Sequence, residues 1–394
     1  MDAKTYQLEN SPVVVACSRT AIGRAHAERG VFRKVRGDEL LASVIKAVVQ
    51  KSNVDSNSIE DVIIGATQQH GEQGGNIARC VSLMVGLPFG AAAASVNRLC
   101  GSSLQALSQA AHAIAAGAEN VQIVGGVDHM HHLPMDSAVS IHPQVFTRSS
   151  KGMVSMGMTA EYLANVHGIS REKQELFAIE SHRKAAQATS EGRFSDEIIP
   201  VLGHEPSGGI CWVDTDQSIR FDSSLEAMAD LKPAFLPRVG TITAATSAPL
   251  SDGAAAMLVM SKAEADRQQL KPMGRVLGTA VVGVSPALMG TGPVHAVEKV
   301  LKRTGLRIDE IDYFEINEAF AAQAIYCLEK LGINPEKVNV HGGSLSIGHP
   351  LGASGARIAT TLLHVMREHG GKYGIATMCI GLGQGIAIVF ERLE

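Results

Sequence analysis

The feature that most narrows the fold is a helix-to-strand junction that occurs twice. Ser58-Ile59-Glu60-Asp61-Val62-Ile63-Ile64 resembles Arg307-Ile308-Asp309-Glu310-Ile311-Asp312-Tyr313, with Ile59 lying 249 positions before Ile308. The same separation carries Val62 to Ile311, Gln68 to Asn317 and Cys100 to His349. Each copy continues into a helix rich in small residues, expected over 101–116 and 353–367. A buried strand follows, expected over 120–124 and 373–378, and then glycines. Helices alternating with apolar strands predict layered α/β architecture, and repetition of that unit predicts two similar domains.

Length supports the same division. Single cores stop growing at roughly 250 to 300 residues, and this chain has 394 with 45% hydrophobic content. The predicted domains are 1–270 and 271–394, meeting near Lys271-Pro272. Residues 128–240 break the repeat: Met- and Gly-rich turns, a polar helix-like run over 170–190 and an irregular stretch over 203–224 read as an inserted cap or loop domain. Long excursions of this kind commonly cover a site.

Charge and cysteine usage exclude several classes. A formal charge of −4 leaves no basic excess for a nucleic-acid backbone, so an anionic ligand must be met by local groups. Uncharged stretches such as 81–96 are interrupted by Gly and Pro and fall short of the roughly 18 apolar residues of a membrane span. Met1 to Asn10 carries Asp2 and Glu9 and lacks the core of a secretory signal, which makes the cytoplasm the expected location. Six scattered cysteines without Cys-x-x-Cys spacing predict reduced thiols and no metal site.

Cys100 lies in Asn97-Arg98-Leu99-Cys100-Gly101-Ser102-Ser103, where a helix amino end is expected. Unpaired N–H groups and the helix dipole favour a thiolate there, predicting a thiol pKa drawn down from about 8.5 toward neutrality. A buried packing cysteine is the competing reading. His349, fixed between Gly348 and Pro350 before a second helix, occupies the repeat position of Cys100; a neutral imidazole there can take the thiol proton. Cys379 ends an apolar strand and enters Gly381-Leu382-Gly383-Gln384-Gly385. That turn leads into another strand, without the Lys-Ser/Thr of a phosphate loop, so it reads as a tight connection or as a thiol beside oxyanion-binding N–H groups. Asn317, in Asn317-Glu318-Ala319-Phe320, is either a helix cap or an amide that orients a water toward a developing oxyanion, with Glu318 orienting its neighbours.

At these residues the chain resembles the thiolase family, from about Val13 to Arg392. The Cys100 segment, Asn317-Glu318-Ala319-Phe320, Gly348-His349-Pro350 and Cys379-Ile380-Gly381 stand in the family's order. Gly125-Gly126-Val127-Asp128-His129-Met130 and Met156-Gly157-Met158-Thr159-Ala160-Glu161 are similar to the degradative branch, the β-subunits of bacterial fatty acid oxidation complexes. The resemblance implies a thiolase fold, two duplicated α/β domains forming a five-layer α-β-α-β-α core plus an inserted loop domain. It implies an acyltransferase of fatty acid β-oxidation that cleaves 3-ketoacyl-CoA with CoA through an acyl-cysteine intermediate.

In that scheme Cys100 is the nucleophile, His349 the proton acceptor and Cys379 the acid and base at carbon. Asn317 holds an oxyanion-hole water, and the Gly381 backbone N–H serves a second oxyanion hole. Arg220 and Phe235 are implied as CoA contacts, with Met156 beside the acyl group. No cofactor is implied, CoA being a substrate, and the implied partners are a second copy of the chain and an α-subunit in an α2β2 complex. Two further positions are informative, Ala248 for the CoA contacts, where it cannot make a serine's hydrogen bond, and Ser155 for the branch. Ala248 stands where relatives carry a pantetheine-facing serine, and Ser155 where short-chain biosynthetic thiolases carry histidine.

Three other functions compete. A biosynthetic acetoacetyl-CoA thiolase would use the same catalytic residues. A ketoacyl synthase would leave Cys379 without a task, and a catalytically silent lipid carrier or scaffold would have no need of all four chemical groups.

Overall fold

A computed structural model of the chain describes residues 9–393. The absence of a targeting signal was read from residues of which the first eight lie outside that range. Among the described residues the main sheet has eleven strands, the two-residue strands Gly23–Arg24 and Ile198–Ile199 and nine that form its continuous path: β1 (Pro12–Thr20), β2 (Asp61–Gly65), β3 (Ala92–Val96), β4 (Val121–His129), β5 (Ser251–Ser261), β6 (Gly274–Gly283), β7 (Tyr313–Ile316), β8 (Tyr373–Ile380) and β9 (Gln384–Glu391). Their spatial order is β7-β8-β9-β6-β1-β5-β4-β2-β3. The halves join where β1 and β6 pair antiparallel, Val13 opposite Arg275. Outward from that seam each half places its strands in the same sequence. In the second half a single parallel bridge, Phe314 to Val338, takes the place that β3 holds in the first.

The duplication is therefore real, but its register differs from the sequence match. The short helical turns Ser56–Ser58 and Ile308–Glu310 correspond, and Asp61 and Tyr313 each open a strand, 252 positions apart. Only the helix starts, Ser102 and Leu351, keep the separation of 249. The strand-to-helix connection is three residues shorter in the second half, and the recurring apolar and acidic residues matched one turn out of phase. Gly65, not Gln68, is the counterpart of Asn317. Gln68 instead donates from Nε2 to the carbonyl of Met135, 2.8 Å away.

Alternation along the strands builds the layers. Val13 and Val15 face a cluster with Leu40, Leu41 and Ile45 of helix α1 (Gly37–Ser52), whereas Val14 faces the opposite cluster. That second cluster holds Leu104 and Leu107 of α2 (Ser102–Ala115) together with Ile358 and Leu362 of the long central helix Leu351–His369, sandwiched between the two halves of the sheet. Ile375, Ala387 and Val389 face outward against Val297 and Val300 of the helix Gly292–Thr304. Helix, sheet, paired helices, sheet and helix make five layers.

The central helices meet closely because small residues line the contact. A Cβ on Gly355 would stand 2.6 Å from the Leu104 backbone nitrogen, and the Ala356 N–H donates to Ser103 Oγ at 2.8 Å. Between the neighbouring strands β4 and β5 the chain leaves the sheet, forming helix α3 (Met156–Val166), helix α4 (Arg171–Ser190) and a small hairpin. The hairpin, Val201–His204 paired with Ile210–Val213, orders part of the stretch read as irregular.

Candidate active site

Both central helices begin at the same end of the molecule, and each is preceded by a chemically active residue two positions upstream. Leu99 is forced into the left-handed region (φ 48) to turn the chain after β3. Asn97 Oδ1 accepts the Leu99 N–H at 2.8 Å, and Ser102 Oγ accepts the Arg98 N–H at 2.9 Å. Gly101 has no alternative: a Cβ there would meet Ile380 Cδ1 at 2.5 Å. The resulting turn leaves Cys100 half-buried.

The Cys100 thiol receives backbone N–H groups from Gly381 and from Cys100 itself, but burial outweighs them and pushes it up to about 11. This reverses the expectation of a lowered pKa. Desolvation of the charged form exceeds what the helix end returns, so Cys100 rests as a thiol. Cys379, buried near the end of β8, is raised well above the usual thiol range by burial and then by the neighbouring Cys100. It packs with Met156, Met289 and Phe320. Met156 Sδ would lie 3.4 Å from a Cβ on Gly381, which places this side chain over the glycine turn.

His349 stands at the matching turn before the second central helix. Gly348 adopts φ 120, where a Cβ would also strike Ser251 Oγ, and that hydroxyl accepts the His349 N–H at 3.1 Å. Burial, reinforced by Arg357, lowers the imidazole to about 3, so it is neutral. Hydrogen-bond directions assign its tautomer. Ser354 Oγ donates to the Pro350 carbonyl at 2.8 Å and therefore accepts from His349 Nδ1 at 2.6 Å. That leaves the Nε2 lone pair facing the Asn317 amide nitrogen at 3.3 Å.

Asn317 is locked in that sense by two residues the sequence did not single out. Arg357 Nη2 donates to Ser344 Oγ at 2.8 Å, which frees the Ser344 hydroxyl proton for Asn317 Oδ1 at 2.6 Å. The amide oxygen is thus held away from His349. Glu318 accepts from Ser181 Oγ and the Leu345 N–H on Oε2 and from Asn339 Nδ2 on Oε1, so both oxygens are engaged in holding loops. Asp128 was also missed as a single residue. Its buried carboxylate accepts from Thr67, Gln73 and the Gly352 N–H, tying β4 to the start of the central helix beside Cys100.

The CoA-contact candidates gather elsewhere on the same face. Arg220, Phe235 and Ala248 line one cleft of about 560 Å³, with Arg24, His182 and Ser247. His182 is lowered to about 4 by burial and by the charges of Arg220 and Arg24, which identifies the cleft as electropositive. Arg24 went unnoticed because it lies nearly 200 residues from Arg220 in sequence. Beside Ala248, the Ser247 hydroxyl is turned to the Thr243 carbonyl at 2.7 Å.

Two thiols, a neutral histidine and backbone donors stand at the junction of a duplicated five-layer core, an arrangement suited to acyl transfer through a cysteine. The comparisons make the class specific. Residues 12–263 match the thiolase N-terminal domain and residues 270–392 the thiolase C-terminal domain. The chain is 50% identical over 384 residues to a 3-ketoacyl-CoA thiolase of Aliivibrio fischeri, covering 96% of this chain and 99% of that protein. It is 51% identical over 385 residues to one of Shewanella frigidimarina, covering 97% and 99%. Human mitochondrial 3-ketoacyl-CoA thiolase superposes with a TM-score of 0.90 at 32% identity, over 98% of this chain and all of that one. Bacillus anthracis acetyl-CoA acetyltransferase superposes at 0.89 and 33% with the same coverage. The chain belongs to the thiolase family.

Proposed function

We propose that this protein is a degradative 3-ketoacyl-CoA thiolase, an acetyl-CoA C-acyltransferase of fatty acid β-oxidation. The observation that carries the reading is the neutral His349 with its Nε2 lone pair held toward Asn317, at the turn that opens the helix packed against the one after Cys100. Full-length relatives bearing that activity support it. CoA is a substrate, with the electropositive cleft at Arg24 and Arg220 receiving its phosphates and Phe235 its pantetheine arm. Met156 and Leu99 close over the acyl group.

His349 Nε2 takes the Cys100 proton as sulfur attacks the 3-keto carbon. The bond between C2 and C3 breaks, its electrons passing into the enolate of acetyl-CoA, and the acyl group remains on Cys100. The His349 imidazolium and a water on Asn317 hold the enolate oxygen while the Cys379 thiol protonates its carbon. The second CoA thiol then attacks the acyl-cysteine, its proton passing to the Cys379 thiolate, while the His349 imidazolium returns its proton to the Cys100 sulfur as that leaves. The N–H groups of Cys100 and Gly381 receive the developing oxyanion, each contributing about 2.7 to 4 kcal/mol of transition-state stabilisation. A thiol pushed up to about 11 makes proton removal part of the attack.

A homodimer belongs to this reading. β3 is an edge strand, and beside it Phe89 is 86% exposed, with Leu83 and Met84 also exposed, an apolar edge suited to a second copy. An α-subunit carrying the preceding hydratase and dehydrogenase steps is the further partner, and the cytoplasm the location. No helix among the described residues is long and apolar enough to cross a membrane.

The test is CoA-dependent cleavage of acetoacetyl-CoA and of a long-chain 3-ketoacyl-CoA, with mass spectrometry of Cys100 when CoA is withheld. Cleavage of both with an acyl-Cys100 adduct is expected. Turnover confined to acetoacetyl-CoA would move the protein to the biosynthetic branch, and absence of both cleavage and adduct would overturn the enzyme reading.

A further inference from the structure

At the far end of the central helix from His349, a cluster of side chains has ligand geometry and no role in the acyl-transfer site. His341, Glu368 and His369 bring their ligand atoms within 4.8 Å of one another. His341 Nε2 and Glu368 Oε2 are 3.6 Å apart, too far for a hydrogen bond. Bonds of about 2.0 to 2.2 Å in a tetrahedral zinc site place neighbouring ligand atoms about 3.4 Å apart, so this gap is close to the edge of such a tetrahedron. We propose that His341, Glu368 and His369 form a binding site for a divalent transition metal such as zinc, independent of the catalytic centre.

Three observations support the assignment. First, the ring nitrogens are available: among the described residues neither His341 nor His369 has a side-chain hydrogen bond, and both rings are held by aromatic contacts. Phe194 packs edge-on to His341 at 5.9 Å, and Tyr313 packs against His369 at 5.9 Å. Second, Arg193 pairs with the other carboxylate oxygen, Glu368 Oε1, and so turns Oε2 toward His341. A partner on the non-ligating oxygen is the usual way a carboxylate ligand is oriented. Third, the His341 and His369 rings lie 5.7 Å apart, centroid to centroid, so that both imidazoles bring a nitrogen to the same point beside Glu368.

The cluster opens onto a surface depression of about 390 Å³, from which water can fill the fourth position. Two imidazoles and one carboxylate suit zinc, cobalt or nickel rather than magnesium or calcium, which prefer all-oxygen sets.

A second histidine cluster shows the contrast. Glu72, His129 and His132 also lie within ligand distance, but their nitrogens are spent. His129 Nε2 donates to the Phe32 carbonyl while Nδ1 accepts the His132 N–H. His132 donates to the Arg33 carbonyl at 2.9 Å and to Glu72 at 3.0 Å. A metal there would have to break a satisfied network.

A metal at His341, Glu368 and His369 would pin the end of the central helix to the segment that leads into Ser344. The test titrates metal-stripped protein with Co²⁺, read by its visible absorption, alongside His369→Ala and Glu368→Gln, both changes lying at exposed positions. Wild type is expected to bind one more equivalent of Co²⁺ than either variant. That extra equivalent should show no sulfur-to-metal charge-transfer band, which separates it from the catalytic thiols. Zinc should raise the melting temperature of wild type and leave both variants unmoved. If either variant binds Co²⁺ with the stoichiometry and affinity of wild type, the site is not the one assigned.

Discussion

Removing the Ser344 hydroxyl tests the role proposed for the Asn317 amide without altering any residue assigned to the substrate. In Ser344→Ala the Asn317 oxygen loses its donor at 2.6 Å, and Arg357 Nη2 loses its acceptor at 2.8 Å. Arg357 is fully buried, its Nε and Nη1 make no hydrogen bond, and its charge is met by Glu315 in an ion pair at 3.5 Å. Two buried polar groups orphaned at once, one of them charged, cost about 3 to 5 kcal/mol of stability. Domain stabilities run from about 5 to 15 kcal/mol, so the variant stays folded when the wild type lies above the lower end of that range, and its melting temperature is measured first.

The catalytic effect is separate. A freed amide can turn its oxygen toward His349 Nε2, removing the donor that holds the enolate-binding water. Loss of one such preorganised donor lowers kcat by roughly 100-fold. Ser344 does not line the CoA cleft, so KM should stay within about twofold of wild type. The assay is steady-state thiolysis of acetoacetyl-CoA, combined with rapid-quench measurement of acyl-Cys100 formation and of its discharge by CoA. Acylation should slow and discharge should not, because discharge relies on the Cys100 and Gly381 N–H groups. A kcat within threefold of wild type, or equal slowing of both half-reactions, would refute the relay from Arg357 through Ser344 to Asn317.

Cys100→Ala should abolish both turnover and the covalent adduct, whereas Cys379→Ala should still acylate slowly while failing to protonate the enolate carbon; quantitative mass spectrometry of the adduct distinguishes them. Because the Cys100 thiol is raised to about 11, its alkylation by iodoacetamide in the free enzyme should keep accelerating from pH 7 to pH 10, and a plateau near neutrality would show a preformed thiolate instead. His182 and His341, lowered to about 4, and His349, lowered to about 3, are buried neutral. The unfolded chain binds their protons below pH 6.5 and the native chain does not, so stability present above pH 6.5 is lost progressively as the pH falls toward 3, measurable as a declining melting temperature. Arg24→Ala and Arg220→Ala should each raise the KM for CoA several-fold with little change in kcat, and more so at low salt, if the electropositive cleft holds the CoA phosphates.

Local sequence determined a good deal here. Cys100, His349, Asn317 and Cys379 were legible because each lies at an abrupt end of a helix or strand, where Gly or Pro marks a backbone that must turn or approach closely. Repetition of the junction made the duplication visible, since an apolar strand paired with a small-residue helix leaves its mark in one linear stretch. Tertiary structure decided the rest. The register of the repeat slipped by three residues because alternating apolar and acidic positions match in more than one phase, and only strand pairing selects among them. Ser344, Arg357 and Arg24 carry no local signal, their roles coming from contacts with residues distant in the chain. The Cys100 thiol turned out raised rather than lowered, because a helix end can be read from neighbouring residues, whereas desolvation is set by everything that packs around the sulfur.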